Sequence, residues 1–240
     1  MKTNRLLSVL ALAAVMSSCV KPDPKEIRFS ILGDSFSTFE GYVDPESNEV
    51  FYLLSSHYTD VMNVEEMWWH KVATETGWTL DKNNSFSGSL ICNFWGFNSG
   101  PYYKLHSFIR RMDNLGDPDV IFVFGGTNDV RSGAYYGEYV YSDWTEGQLE
   151  YYRPALAYMF DSLKRLYPKA KIYFLADMYL YDYDQEGRIF IESLHHIASR
   201  YDVECIDLYG IQKMYGHPNA EGQAAIARQV IEALRIDFNV

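Results

Sequence analysis

The sequence predicts an α/β fold in which helices cover a five-stranded parallel sheet, and three observations lead to it. Five short apolar runs alternate with stretches of helical periodicity. The runs are rich in Val, Ile and Phe and carry few charges, which suits strands buried on both faces. No linker, repeat or low-complexity stretch interrupts the chain after residue 26, so a single domain is expected over 27–240.

The strands are expected at 27–32, more weakly at 78–81, and at 120–124, 171–176 and 203–207. Helices are expected near 65–76, 102–113, 149–166, 188–200 and 220–235. In the last, Ala224, Ala225, Ile226, Val230, Ile231 and Leu234 recur at helical spacing, while Arg228, Glu232 and Arg235 face away. That helix is expected to close the core.

The first residues read as a targeting segment. Lys2 and Arg5 precede an apolar run over 6–16 that is too short to span a bilayer and fits the centre of a secretory signal, predicted over 1–18. Ser17-Ser18-Cys19 resembles a bacterial lipobox with Cys19 as the acylated residue, although Met16 stands where Leu is usual. The other reading is an ordinary cleaved signal with an incidental cysteine. Residues 19–26, with two prolines, would tether the lipid to the domain. These features imply a lipid-anchored protein of the bacterial cell envelope that meets the membrane only through Cys19.

A formal net charge of −11 argues against nucleic acid and against docking on anionic lipid heads. Cys92 and Cys205 are too few for a disulfide framework, and both are expected to be free and buried. No later segment has the length or polarity of a transmembrane helix.

Four short blocks carry the chemistry: Gly33-Asp34-Ser35-Phe36-Ser37, Ser87-Gly88-Ser89, Gly126-Thr127-Asn128-Asp129 and His217-Pro218-Asn219. Three of them follow expected strands, where open parallel sheets place their ligand crevice. A serine hydroxyl needs a neighbouring base to become a nucleophile, and an imidazole titrates in the right range. Ser35 is therefore the expected nucleophile and His217 the expected base. The Ser35 and Gly88 backbone N–H groups and the Asn128 side-chain amide are the expected oxyanion donors. Each block alone has a plainer reading: Asp34-Ser35 as a helix cap, Asn128-Asp129 as a turn, Gly88 as a loop glycine, His217-Pro218 as a loop ahead of a helix capped by Asn219. Asp34 is read as bracing its turn.

Together, in this order, the blocks resemble the SGNH/GDSL hydrolase family of serine esterases and acylhydrolases, over residues 27–235. The resemblance implies a three-layer α/β/α sandwich of flavodoxin-like type, a catalytic serine and histidine, and no cofactor. The chain departs from the family pattern at Met214, where an aspartate three residues before the histidine is usual. Changing the comparable aspartate in an unrelated serine protease lowers turnover by about 10⁴ through the histidine tautomer. A main-chain carbonyl from 213–215 is the first replacement to consider, then Asp207, then Glu221.

Glu192, His195 and His196 share a predicted helix at a spacing that can face a metal, but no third ligand accompanies them, so no metal is assigned. His57, His70 and His106 lie in no motif.

Aromatic residues crowd 39–69, 94–103 and 135–152, and about half are expected in the core. The rest would suit sugar stacking or an acyl pocket. The expected activity is hydrolysis of short acyl esters, on a small molecule or glycan, through an acyl-Ser35 intermediate. The alternatives are a glycan-binding lipoprotein on a decayed hydrolase scaffold, and a lipid or thioester acylhydrolase.

Overall fold

The computed structural model describes residues 26–43, 48–94 and 104–238. The predicted signal segment, Cys19 and the aromatics Trp95, Phe97, Tyr102 and Tyr103 lie outside the described residues. Five parallel strands, β1 (Arg28–Gly33), β2 (Thr79–Ser85), β3 (Val120–Phe124), β4 (Lys171–Asp177) and β5 (Glu204–Leu208), form one sheet in the order β2-β1-β3-β4-β5.

Strand β3 shows why the sheet needs helices on both faces. Val120, Phe122 and Phe124 point into one core with Phe29, Ile31, Tyr173 and Leu175. Ile121 and Val123 point into the other with Leu32, Ile172 and Phe174. Helices α1 (Trp68–Thr76) and α7 (Ala220–Phe238) cover the first face through Trp68, Trp69, Val72, Ile226, Val230 and Leu234. Helices α2 (Phe108–Arg111), α4 (Tyr152–Leu166) and α6 (Gln185–Arg200) cover the second through Phe108, Leu156, Phe160, Ile191 and Leu194. Two short helices, α3 (Thr127–Arg131) and α5 (Tyr179–Tyr183), follow the ends of β3 and β4. The chain is a single-domain three-layer sandwich.

Three expectations need correction. Strand β2 runs to Ser85 rather than ending at 81, because its polar half is buried with partners. The Asn83 amide donates to Ser37 O at 3.0 Å, and the Asn84 amide to Arg111 O at 2.8 Å. Buried amides with partners cost little. His217 does not lie on a simple loop: β6 (Lys213–Met214) and β7 (His217–Pro218) form an antiparallel hairpin. Cys205 is half-buried rather than buried; both cysteines are free.

Candidate active site

The site lies at the carboxyl ends of β1, β3 and β4. Strand β1 ends at Gly33, and the chain turns at once into a 3-10 turn over Ser35–Ser37. The Asp34 carboxylate accepts from the Phe36 N–H at 3.0 Å, and its own N–H donates to Phe124 O at the end of β3. Asp34 thus braces the turn. Burial pushes it up to about 7, against the Phe36 N–H, which favours the ionised form.

The Ser35 hydroxyl lies 3.0 Å from His217 Nε2. His217 Nδ1 lies 3.2 Å from the Tyr215 carbonyl, which can only accept, so the proton sits on Nδ1 and Nε2 is free to accept from Ser35. The acceptor belongs to the hairpin turn itself, where Tyr215 and Gly216 have φ of 50° and 80°. Two successive left-handed residues make the tight turn that suits a two-residue hairpin loop. Phe51 stacks on the imidazole at 3.4 Å between ring centroids and 10° between planes, and Phe36 meets it edge-on. Burial lowers the His217 pKa to about 4; the Tyr215 carbonyl opposes this, and the cations of Arg131 and Lys213 add to it. The ring is therefore neutral at pH 7, the state that can take a proton from a hydroxyl.

Neither carboxylate considered as an orienter reaches the ring. Asp207 lies on β5 and faces His195 Nε2 at 3.1 Å, out of line for a hydrogen bond. Glu221 is exposed in the first turn of α7. Strand direction explains the first: Asp207 pairs with Ala176 in the sheet and points to the α6 side.

The Gly88 and Ser35 N–H groups have no acceptor among the described residues. Gly88 has φ of 80°, a conformation open to glycine. The Asn128 amide, at the start of α3, donates to Ser89 O at 3.0 Å and to Asp34 Oδ2 at 3.4 Å, which ties the second block to the first. Fully buried Asp129 accepts from the Ile91 N–H at 2.9 Å and the Cys92 N–H at 3.2 Å, fixing the chain beyond Ser89. The four blocks, far apart in sequence, are thereby joined by side-chain hydrogen bonds into one crevice.

Several residues here went unnoticed in the sequence. Arg111, 7 % exposed, donates to Gly33 O at 3.1 Å, Ser89 Oγ at 3.0 Å and His106 O at 2.7 Å, and also to Asn84 O. It bonds the chain on both sides of the crevice floor, and burial lowers its pKa to about 9 while Asp34 opposes the change. Gln223, Tyr52 and the Lys213–Asp177 pair also support the site. Arg111 falls inside the helix expected near 102–113 and Tyr52 inside the aromatic-rich stretch 39–69, but nothing in the sequence marked these residues, or Gln223, Lys213 and Asp177, as supports of the site.

No group of three or more metal-ligating side chains occurs among the described residues. His195 faces Asp207, and His196 packs against Tyr139. Of the crowded aromatics, Phe39, Tyr52, Trp68, Trp69 and Tyr152 are core, while Tyr42, Tyr58, Tyr135, Tyr139 and Tyr151 are exposed.

The family profile of GDSL-like lipases and acylhydrolases matches residues 27–234. The chain belongs to this family. A structure from Bacteroides ovatus ATCC 8483, described as a candidate GDSL-like lipase, is 42% identical, covers 89% of this chain and 100% of its own, and superposes with a TM-score of 0.82. A second, from Bacteroides uniformis ATCC 8492 with the same description, is 41% identical over 88% of this chain and 96% of its own, with a TM-score of 0.81. An acetyl xylan esterase from Butyrivibrio proteoclasticus shares the fold at 17% identity and a TM-score of 0.56, over 90% of this chain and 66% of its own. Among curated proteins none matches this chain. As a GDSL-family acylhydrolase, the chain is a carboxylic ester hydrolase.

Proposed function

We propose that this esterase removes short acyl groups, acetyl foremost, from a glycan through an acyl-Ser35 intermediate. The observation that carries the reading is the 3.0 Å contact between Ser35 Oγ and a neutral His217 Nε2. As Oγ attacks the ester carbonyl, Nε2 takes the hydroxyl proton and the carbonyl π electrons move to oxygen. The oxyanion is met by the Ser35 and Gly88 N–H groups and the Asn128 amide. Of that amide's two contacts, the 3.4 Å one to Asp34 is the one to yield to it. When the oxyanion collapses, the sugar oxygen leaves with the proton from Nε2. Water then attacks the acyl-enzyme, giving its proton to Nε2, and the proton returns to Ser35 as the acid departs.

Two features support a sugar-borne ester. Tyr215, on the turn beside His217, pairs with Tyr58 at 5.4 Å between centroids, and the two are 69% and 62% exposed, offering flat apolar faces with polar tips. The fold is shared with an acetyl xylan esterase. The leader and Cys19 support attachment at the envelope, where such glycans are met.

The test is hydrolysis of p-nitrophenyl acetate by the full chain and by Ser35→Ala, with a fluorophosphonate probe alongside. Turnover and labelling are expected in the first and neither in the second. Equal hydrolysis by the folded Ser35→Ala variant would overturn the assignment, and a chain-length optimum beyond about eight carbons would overturn the short-acyl reading.

A further inference from the structure

In this chain the histidine and the acceptor of its Nδ1 proton move together. Tyr215 O and His217 belong to one hairpin turn, so their hydrogen bond fixes the tautomer and leaves the distance from the ring to Ser35 undetermined. That distance depends on how the hairpin is fastened to the sheet. On the β7 arm, Pro218 O accepts from the Tyr52 hydroxyl at 2.7 Å, and Phe51 lies against the ring. On the β6 arm, Met214 and Tyr215 are exposed. The polar fastening there is Lys213, whose ammonium is ion-paired with Asp177, the last residue of β4.

The pair is enclosed: the Lys213 and Asp177 side chains are 13% and 3% exposed. Asp177 also accepts from the Tyr179 N–H at 3.3 Å, which fixes its carboxylate to the start of α5. The Lys213 ammonium lies 4.4 Å from the Tyr179 ring centroid and 5.5 Å from that of Phe36, the residue after Ser35. One cation therefore touches the hairpin, the central sheet and the serine turn together. It also directly precedes Met214, the position where the family pattern has its aspartate.

We propose that the Lys213–Asp177 ion pair is a positioning device that holds the His217 imidazole against Ser35, taking over the anchoring of the base from the carboxylate absent at position 214. The proposal rests on the reading of Ser35 and His217 as nucleophile and base. A misplacement of about 1 Å can lower turnover by roughly 10²-fold, so the effect belongs in kcat and leaves binding of a small ester almost untouched. Removing one partner of an enclosed pair leaves the other charge uncompensated, so both members are needed.

The experiment measures p-nitrophenyl acetate hydrolysis by the full chain carrying Lys213→Met, Asp177→Asn, Lys213→Arg or Ser35→Ala. Lys213→Met is expected to lose about 10²-fold in kcat with KM within about threefold, and Lys213→Arg to recover most of the loss. The acid limb of kcat/KM should also move upward in Lys213→Met, because a cation that opposes protonation of His217 is gone; burial of the ring, the main cause, and Arg131 on α3 both remain, so the limb stays below the ordinary histidine range. Folding is checked by circular dichroism. If Lys213→Met does not fold, the near-isosteric Asp177→Asn carries the same expectation for kcat. Folded variants with kcat within twofold of the parent, beside an inactive Ser35→Ala, would overturn this proposal alone. An active Ser35→Ala would overturn the esterase assignment beneath it.

Discussion

Burial of an imidazole beneath a phenylalanine ring sets the chemistry of this site at the scale of single residues. The His217 pKa is lowered from 6.5 to about 4, so the neutral base is present through the neutral range and lost as pH falls through about 4. For the free enzyme, kcat/KM toward p-nitrophenyl acetate should therefore hold down to about pH 5 and fall with an apparent pKa near 4; a limb at 6.5 or above would contradict it. Stability cannot serve as the readout. Between pH 6.5 and 4 the unfolded chain takes up a proton at His217 that the folded chain refuses, so stability falls with falling pH. Asp34 acts oppositely: raised from 3.8 to about 7, it contributes stability at low pH that is lost as pH rises between those values. The residue types of the site were legible in the sequence because acyl transfer needs a hydroxyl, an imidazole and fixed donors. The orienter was open among three candidates, since a main-chain carbonyl leaves no trace in residue identity. Tyr215 O now faces Nδ1, and Asp207 and Glu221 lie elsewhere.

At the scale of elements, β1, β3 and β4 were legible because strands covered on both faces must be apolar. The second half of β2 was not, since Asn83, Asn84 and Ser85 read as a loop until their hydrogen-bond partners are known. The β6–β7 hairpin was hidden for another reason. Two-residue strands have no periodicity, and the one sign of the turn is Gly216 before the histidine. Its φ of 80° makes a direct test. In Gly216→Ala the new Cβ would lie 3.0 Å from the Arg131 guanidinium, a flexible tip that can step aside, so the strain is in the backbone. A left-handed non-glycine residue costs about 1–2 kcal/mol, which for a chain of this size lowers Tm by roughly 2–8 °C. Because the same turn presents Tyr215 O and His217, kcat should fall beyond what the loss of folded protein explains. Thermal melts and kinetics on one preparation would check both, and an unchanged Tm would show that the turn tolerates a side chain.

For the whole molecule, the site is held by the layer of helices on one face as much as by the strand ends. Gln223 on α7 is fully buried, and its carbonyl accepts from the Trp68 N–H at 2.9 Å, where α1 begins. Its amide donates to Phe36 O in the serine turn at 3.2 Å and to the Tyr52 hydroxyl at 2.9 Å, which in turn holds the histidine hairpin through Pro218 O. One glutamine thus links two helices, the nucleophile turn and the base. The apolar periodicity of α7 was legible in the sequence; that a polar residue would lie on its buried face was not, because Gln223 precedes the apolar run and its partners are distant in the chain. Gln223→Leu keeps most of the volume and leaves the Trp68 N–H and Phe36 O buried without this partner, at about 1–3 kcal/mol each. Tm should fall by roughly 4–24 °C on that basis, and kcat should drop in the fraction that remains folded. A Gln223→Leu variant with parental Tm and kcat would show that helix packing alone holds the serine and histidine together.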